Sequence, residues 1–143
     1  MNPSLWPARL HHLRRDSPQP ERLARFYGDL LGDQVEQLSG DTWLVAGRAR
    51  RLVVGRGAAG AVPYFALQVQ DAAHLARLSR EIGNHQPSPT PLFADGAFAL
   101  TDPDGRQVVL GIPRDASAHE GLPGRLQHFV CASVRVPELL EFY

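Results

Sequence analysis

The sequence predicts an α+β protein built from two tandem βαβββ modules and followed by the start of a third. Three observations carry this reading. Two amphipathic helical stretches are each preceded by one strand-like run and followed by several more. Short clusters of turn residues separate these runs, and 12 Pro and 13 Gly in 143 residues speak against a helical bundle. Finally, Arg125-Leu126-Gln127-His128 repeats Arg9-Leu10-His11-His12 at an offset of 116 residues, and Phe142-Tyr143 stand to His128 as Phe26-Tyr27 stand to His12.

Arg9 to Arg15 reads as the first strand. Leu23, Phe26, Tyr27, Leu30 and Leu31 then recur at helical spacing, with Pro18 or Pro20 suited to the first turn and Gly32 to the stop, which predicts a helix near 19–31. Three strand-like runs follow, Gln34 to Leu38, Thr42 to Ala46 and Arg51 to Gly55, broken by Ser39-Gly40-Asp41 and by Gly47. The second unit opens with Val62 to Gln70. Asp71 is suited to cap a helix near 72–82 that carries Leu75, Leu78 and Ile82 on one face and closes at Gly83. Behind it come a weak run at Thr90 to Phe93, then Ala97 to Thr101 and Gln107 to Ile112 around an Asp102-Pro103-Asp104-Gly105 turn.

Pro113 to Gly124 lacks periodicity and reads as a linker. The second copy of the repeat stops at Tyr143, inside its expected helix, so a chain that ends mid-element is expected. The alternative is a complete short helix over Pro137 to Tyr143. The layout is therefore paired modules at 1–112, a linker at 113–124, and the first strand and partial helix of a truncated C-terminal domain at 125–143. That last segment lacks the strands that would cover Leu139, Leu140 and Phe142. It is expected to be mobile, to pack on the first two modules, or to pair with a neighbouring chain.

Bulk properties narrow the function. A hydrophobic fraction of 43% with 21% charged residues is ordinary for a folded globular domain. Fifteen basic and fifteen acidic side chains cancel, so no nucleic-acid or anionic-membrane partner is expected. No stretch approaches the roughly 20 apolar residues of a membrane helix, and Met1 to Arg15 has no signal-like run, which predicts a cytoplasmic location. The lone Cys131 cannot form an internal disulfide and is expected to act as a small buried hydrophobe.

His12 on a first strand, Phe26-Tyr27 and Leu31-Gly32 at a helix end, Asp102-Pro103-Asp104-Gly105 between late strands, and His128 with Phe142-Tyr143 in the second copy form an ordered set. In this combination the chain resembles the vicinal oxygen chelate superfamily of glyoxalases, bleomycin-resistance proteins and extradiol dioxygenases. The resemblance implies that the two modules form a curved mixed sheet. It further implies a cavity in which the first and last strands of each module present metal ligands, His or Gln and Glu respectively.

Carried over position by position, that ligand pattern is largely missing. His12 stands correctly, but Arg51-Leu52-Val53-Val54-Gly55 offers no carboxylate, Tyr64 occupies the next first-strand position, and Val109 falls where Glu is usual. One candidate in four does not make a metal site. His12, Arg14, Tyr64 and Gln68 are instead expected to face the cavity, and His11, by strand alternation, the opposite side. His128 aligns with the first histidine of a two-His, one-Glu iron site and is the single candidate metal ligand, its partners lying beyond Tyr143. No catalytic residue is assigned within the chain.

The loss in the first module pair resembles the N-terminal half of two-domain, type I extradiol dioxygenases. What this implies is a structural domain of a cytoplasmic oxidoreductase in aromatic compound catabolism. The parent would cleave a small aromatic diol with O2 and Fe(II), or possess another divalent metal, whereas the chain alone would bind no cofactor and be inactive. The alternatives are a non-catalytic drug-binding protein of the bleomycin-resistance type, or another metal-dependent enzyme of the superfamily such as a lyase or epimerase. A homo-oligomer is compatible with each.

Overall fold

The computed structural model describes residues 8–114, 124, 126, 130 and 132–143. The first module comprises β1 (Ala8–Ser17), α1 (Pro20–Leu31), β2 (Gln34–Ser39), β3 (Thr42–Ala46) and β4 (Arg51–Arg56). The second comprises β5 (Tyr64–Val69), α2 (Ala72–Ile82), β6 (Gln86–Pro87), β7 (Phe98–Thr101) and β8 (Gln107–Gly111), and α3 (Val136–Phe142) follows. The predicted βαβββ order thus occurs twice.

All eight strands join in one open mixed sheet, in the order β2-β3-β4-β1-β5-β8-β7-β6. Within each module the first and last strands pair in parallel, β1 with β4 and β5 with β8. The modules meet through the antiparallel pairing of β1 with β5, so the strand order reads the same from either edge.

Helices α1 and α2 cover one face. Pro20 lies in the first turn of α1, and Gly32 ends the helix at φ 66°, its N–H bonding to the Gly28 carbonyl. The buried line of α1 is Pro20, Ala24 and Gly28. These small residues bring the helix close to the sheet, where Ala24 packs on Val45 and Val54. Phe26 and Leu30, which the apolar periodicity places inward, are therefore exposed. In α2 the Asp71 carboxylate accepts the His74 N–H at 2.7 Å, as a cap should, and Leu75 packs on Val69, Phe98 and Leu110.

The run Thr90 to Phe93 is not a strand. The edge strand of module two is the two-residue β6, and only Phe93 makes an isolated bridge, to Pro113. Pro89 and Pro91 lack the N–H that a ladder requires, so this segment leaves the sheet edge. It crosses the face opposite the helices instead. There Leu92 packs with Leu44, Ala46 and Val53, while Phe93 packs with Tyr64, Ala66, Ala99 and Val109.

The Asp102 turn forms as expected and is strongly tied. Its buried carboxylate accepts the backbone N–H groups of Asp104 and Arg106 at 2.9 Å through one oxygen and the Arg106 guanidinium at 3.1 Å through the other. The α3 segment packs on this turn, in line with one of its three expected arrangements. The Tyr143 hydroxyl donates to Asp102 at 3.1 Å, Arg135 donates to the Pro103 carbonyl at 2.6 Å, and the Tyr143 ring stacks 6.4 Å from Phe65. Residues 115–123, Cys131 and His128, with most of the expected third-module strand, lie outside the described residues. Among the described residues no helix is long and apolar enough to cross a membrane.

Candidate functional site

The middle of β1 carries the most unusual group of side chains on the helix-free face. Against β5, Leu10 pairs with Leu67 and His12 with Ala66, so His11 is an extra residue on β1, a β-bulge. The bulge interrupts alternation and turns both imidazoles to the same side. The expectation that His11 faces the helices is thereby overturned: His11 Nδ1 lies 2.7 Å from His12 Nδ1, and its ring is 5.3 Å from Phe93.

His12 is fully buried. Its second nitrogen, Nε2, makes a 2.7 Å hydrogen bond with the Thr90 hydroxyl, and its ring meets Tyr64 and Phe93 edge-on at 5.8 and 5.1 Å. Burial is the main cause that lowers the His12 pKa to about 3, with His11 and Arg51 adding to it. Burial, then Arg51, likewise lowers His11 to about 4. Both rings are therefore neutral near pH 7. The Tyr64 phenol is raised, chiefly by burial, against smaller opposing effects of Thr90 and Arg14.

Phe93 closes the face. It lies against β8 at Gly111, where an added Cβ would come within 2.3 Å of the Phe93 ring. A side chain at that position and the aromatic ring cannot coexist there without one of them moving. The Ser88–Phe93 segment thus fills, with Thr90 over His12 and Phe93 beside it, the middle of the face that the first and last strands of both modules share.

This donor set does not fit a divalent cation. Among the described residues no group of three or more His, Cys, Asp or Glu side chains converges. Both ring nitrogens of His12 are engaged, by His11 and Thr90, and neither Val109 nor Arg51–Arg56 brings a carboxylate.

Of the residues singled out from the sequence, the fold groups three. His12 and Tyr64 touch edge to face, and Arg14 is the register partner of Tyr64 across β1 and β5. The Arg14 Nε donates to Asp16 at 2.7 Å. Gln68 lies on the same face but at the far end of β5, opposite Gly111. Sequence reasoning missed His11 and Thr90. The alternating prolines Pro87, Pro89 and Pro91 were the available sign that Thr90 belongs to a segment free to cross the sheet.

No protein-family model matches this chain, and no curated protein matches it. Solved structures do. A catechol 2,3-dioxygenase superposes with a TM-score of 0.70 at 17% identity, over 94% of this chain and 53% of that one. The fold is that of the extradiol dioxygenases. BphC, a halotolerant catechol dioxygenase, matches with a TM-score of 0.61 at 20% identity, over 80% of this chain and 43% of its own. Homoprotocatechuate 2,3-dioxygenase from Arthrobacter globiformis matches with a TM-score of 0.58 at 21% identity, over 84% of this chain and 40% of its own. This chain therefore spans about half, or less, of the length of these dioxygenases.

Proposed function

We propose that the chain is the metal-free N-terminal domain of an extradiol-dioxygenase-like protein. Modules one and two, at 1–112, act as scaffold, the linker is at 113–124, and 125–143 begins a second domain. The observation that carries this reading is the filling of the helix-free face by Thr90 and Phe93 over a buried His12, in a fold shared with enzymes of about twice this length. A face occupied by the chain's own core does work as a scaffold, and its residues offer no ligand set for catalysis.

On this reading the parent acts on a small aromatic diol with O2. Ferrous iron, which supplies open coordination positions for a diol and dioxygen, belongs to the second domain, with His128 as its first ligand. The drug-sequestering alternative is weaker, because the wide cavity between modules that it requires is where Phe93 packs. No observation favours a lyase or an epimerase.

Oxygen uptake with catechol and ferrous iron tests the proposal. The 143-residue chain should show none, whereas the complete protein should consume oxygen and lose that activity in His128→Ala. Turnover by the 143-residue chain would place the active site in modules one and two and overturn their scaffold role. Failure of the complete protein across a panel of aromatic diols would remove the dioxygenase assignment.

A further inference from the structure

A scaffold role leaves one polar cleft unexplained. It opens on the helix-free face between the β2–β3 hairpin and the Ser88–Pro91 segment, with a volume of 370 Å³. Arg14 carries the only formal charge among the described residues that line it, and no carboxylate does so.

Arg14 is held from two directions. Asp16 fixes its Nε at 2.7 Å, and the guanidinium lies flat on β4 at Gly55, where an added Cβ would come within 2.5 Å of Cζ. Its terminal nitrogens have no hydrogen-bond partner among the described residues. A guanidinium oriented at Nε with its outer edge left open matches the two oxygens of a carboxylate. Hydroxyl side chains line the same cleft. Ser39 and Thr42 face each other across the hairpin, and the Ser88 oxygen accepts the Thr90 N–H at 3.3 Å, which leaves its own O–H to donate.

Val53, Pro89 and Pro91 give the cleft an apolar wall, with Tyr64 and Thr90 beside them. The volume lies near the lower end of the range of about 300–1,000 Å³ for small-molecule pockets, which suits a single ring. We propose that this cleft binds a small aromatic carboxylate, its carboxylate on the outer edge of Arg14 and its ring against Val53, Pro89 and Pro91. This site does not depend on the dioxygenase reading.

The test is a titration of the 143-residue chain, followed by amide NMR, with benzoate, with neutral benzamide of the same shape, and with inorganic phosphate. Benzoate should give saturable shifts at Thr42, Tyr64 and Ser88. Benzamide should bind at least about tenfold more weakly, as loss of a charge-assisted hydrogen-bond pair implies. Arg14→Gln should weaken benzoate to a similar degree while the rest of the spectrum keeps its dispersion. Should that variant unfold, Thr42→Val at the hairpin serves in its place and should weaken benzoate by about threefold, the worth of one hydroxyl hydrogen bond. Equal affinity for benzamide, unaltered benzoate binding in a folded Arg14→Gln or Thr42→Val, or absence of saturable shifts overturns the proposal. Phosphate binding as tightly as benzoate overturns the assignment of the apolar wall.

Discussion

The Nδ1 atoms of His11 and His12 lie 2.7 Å apart, so a single proton is shared between them. Two protonated nitrogens would point N–H groups at each other. This arrangement exists only because the bulge at His11 places consecutive residues of one strand on one face. It also makes the interior of the sheet sensitive to acid.

Stability should fall as the pH drops below about 6.5. Both histidines have folded-state pKa values lowered from 6.5, to about 4 for His11 and about 3 for His12. Between those values and 6.5 the unfolded chain binds protons that the native chain refuses, so stability rises with pH across that window and is insensitive to these groups above it. The loss should reach on the order of a few kcal/mol toward the lower end. Urea midpoints at pH 7.5 and pH 5 measure it, and His11→Asn should show a shallower slope. Identical slopes in the two proteins would show that the pair is not the source.

Thr90→Val should destabilise the chain by about 1–3 kcal/mol, because it leaves a buried His12 nitrogen without its partner. Thr90→Ser, which restores the hydroxyl, should recover most of that loss. Chemical denaturation at pH 7.5 distinguishes the two, and equal stability of Val and Ser variants would contradict the hydrogen bond.

Gly111→Ala should displace Phe93, since the added Cβ would meet the ring at 2.3 Å. The cost expected for overpacking is about 1–3 kcal/mol. Combining it with Phe93→Leu should cost less than the sum of the two single changes. Strict additivity in a double-mutant cycle would show that the two residues do not oppose each other.

The Asp102 carboxylate and the Tyr143 hydroxyl should separate in their effects. Asp102→Ala leaves the backbone N–H groups of Asp104 and Arg106 without their buried carboxylate acceptor and removes one of the two carboxylates that Arg106 bonds, at a cost of about 1.5–3 kcal/mol to the whole fold. Tyr143→Phe removes one hydrogen bond between α3 and the turn, worth about 1 kcal/mol. Hydrogen exchange should then quicken in α3 alone, while strands β7 and β8 keep their protection.

The order of elements was legible because its signals are local. Helices expected near 19–31 and 72–82 form at Pro20–Leu31 and Ala72–Ile82, since Gly32 and the Asp71 cap act within a turn of the residues that they govern. The Asp102 turn is similarly self-contained, its carboxylate bonding to backbone two and four residues on. The duplicated spacing around His12 and His128 depends on residue identities alone, and so it too could be read without coordinates.

Local spacing and residue identity therefore set the repeated βαβββ order, the turns and the residue types available on each strand. Which of those residues meet depends on packing between distant stretches of chain. The bulge at His11 is defined by Leu67 and Ala66 on β5, a distant stretch of chain, and alternation within β1 alone puts His11 on the wrong side. Thr90 reaches His12 from 78 residues away, and Phe93 finds its place through the missing side chain of Gly111 on another strand. Local propensity acts through neighbouring dihedral angles, whereas these contacts depend on register between strands and on the space left by residues remote in the chain.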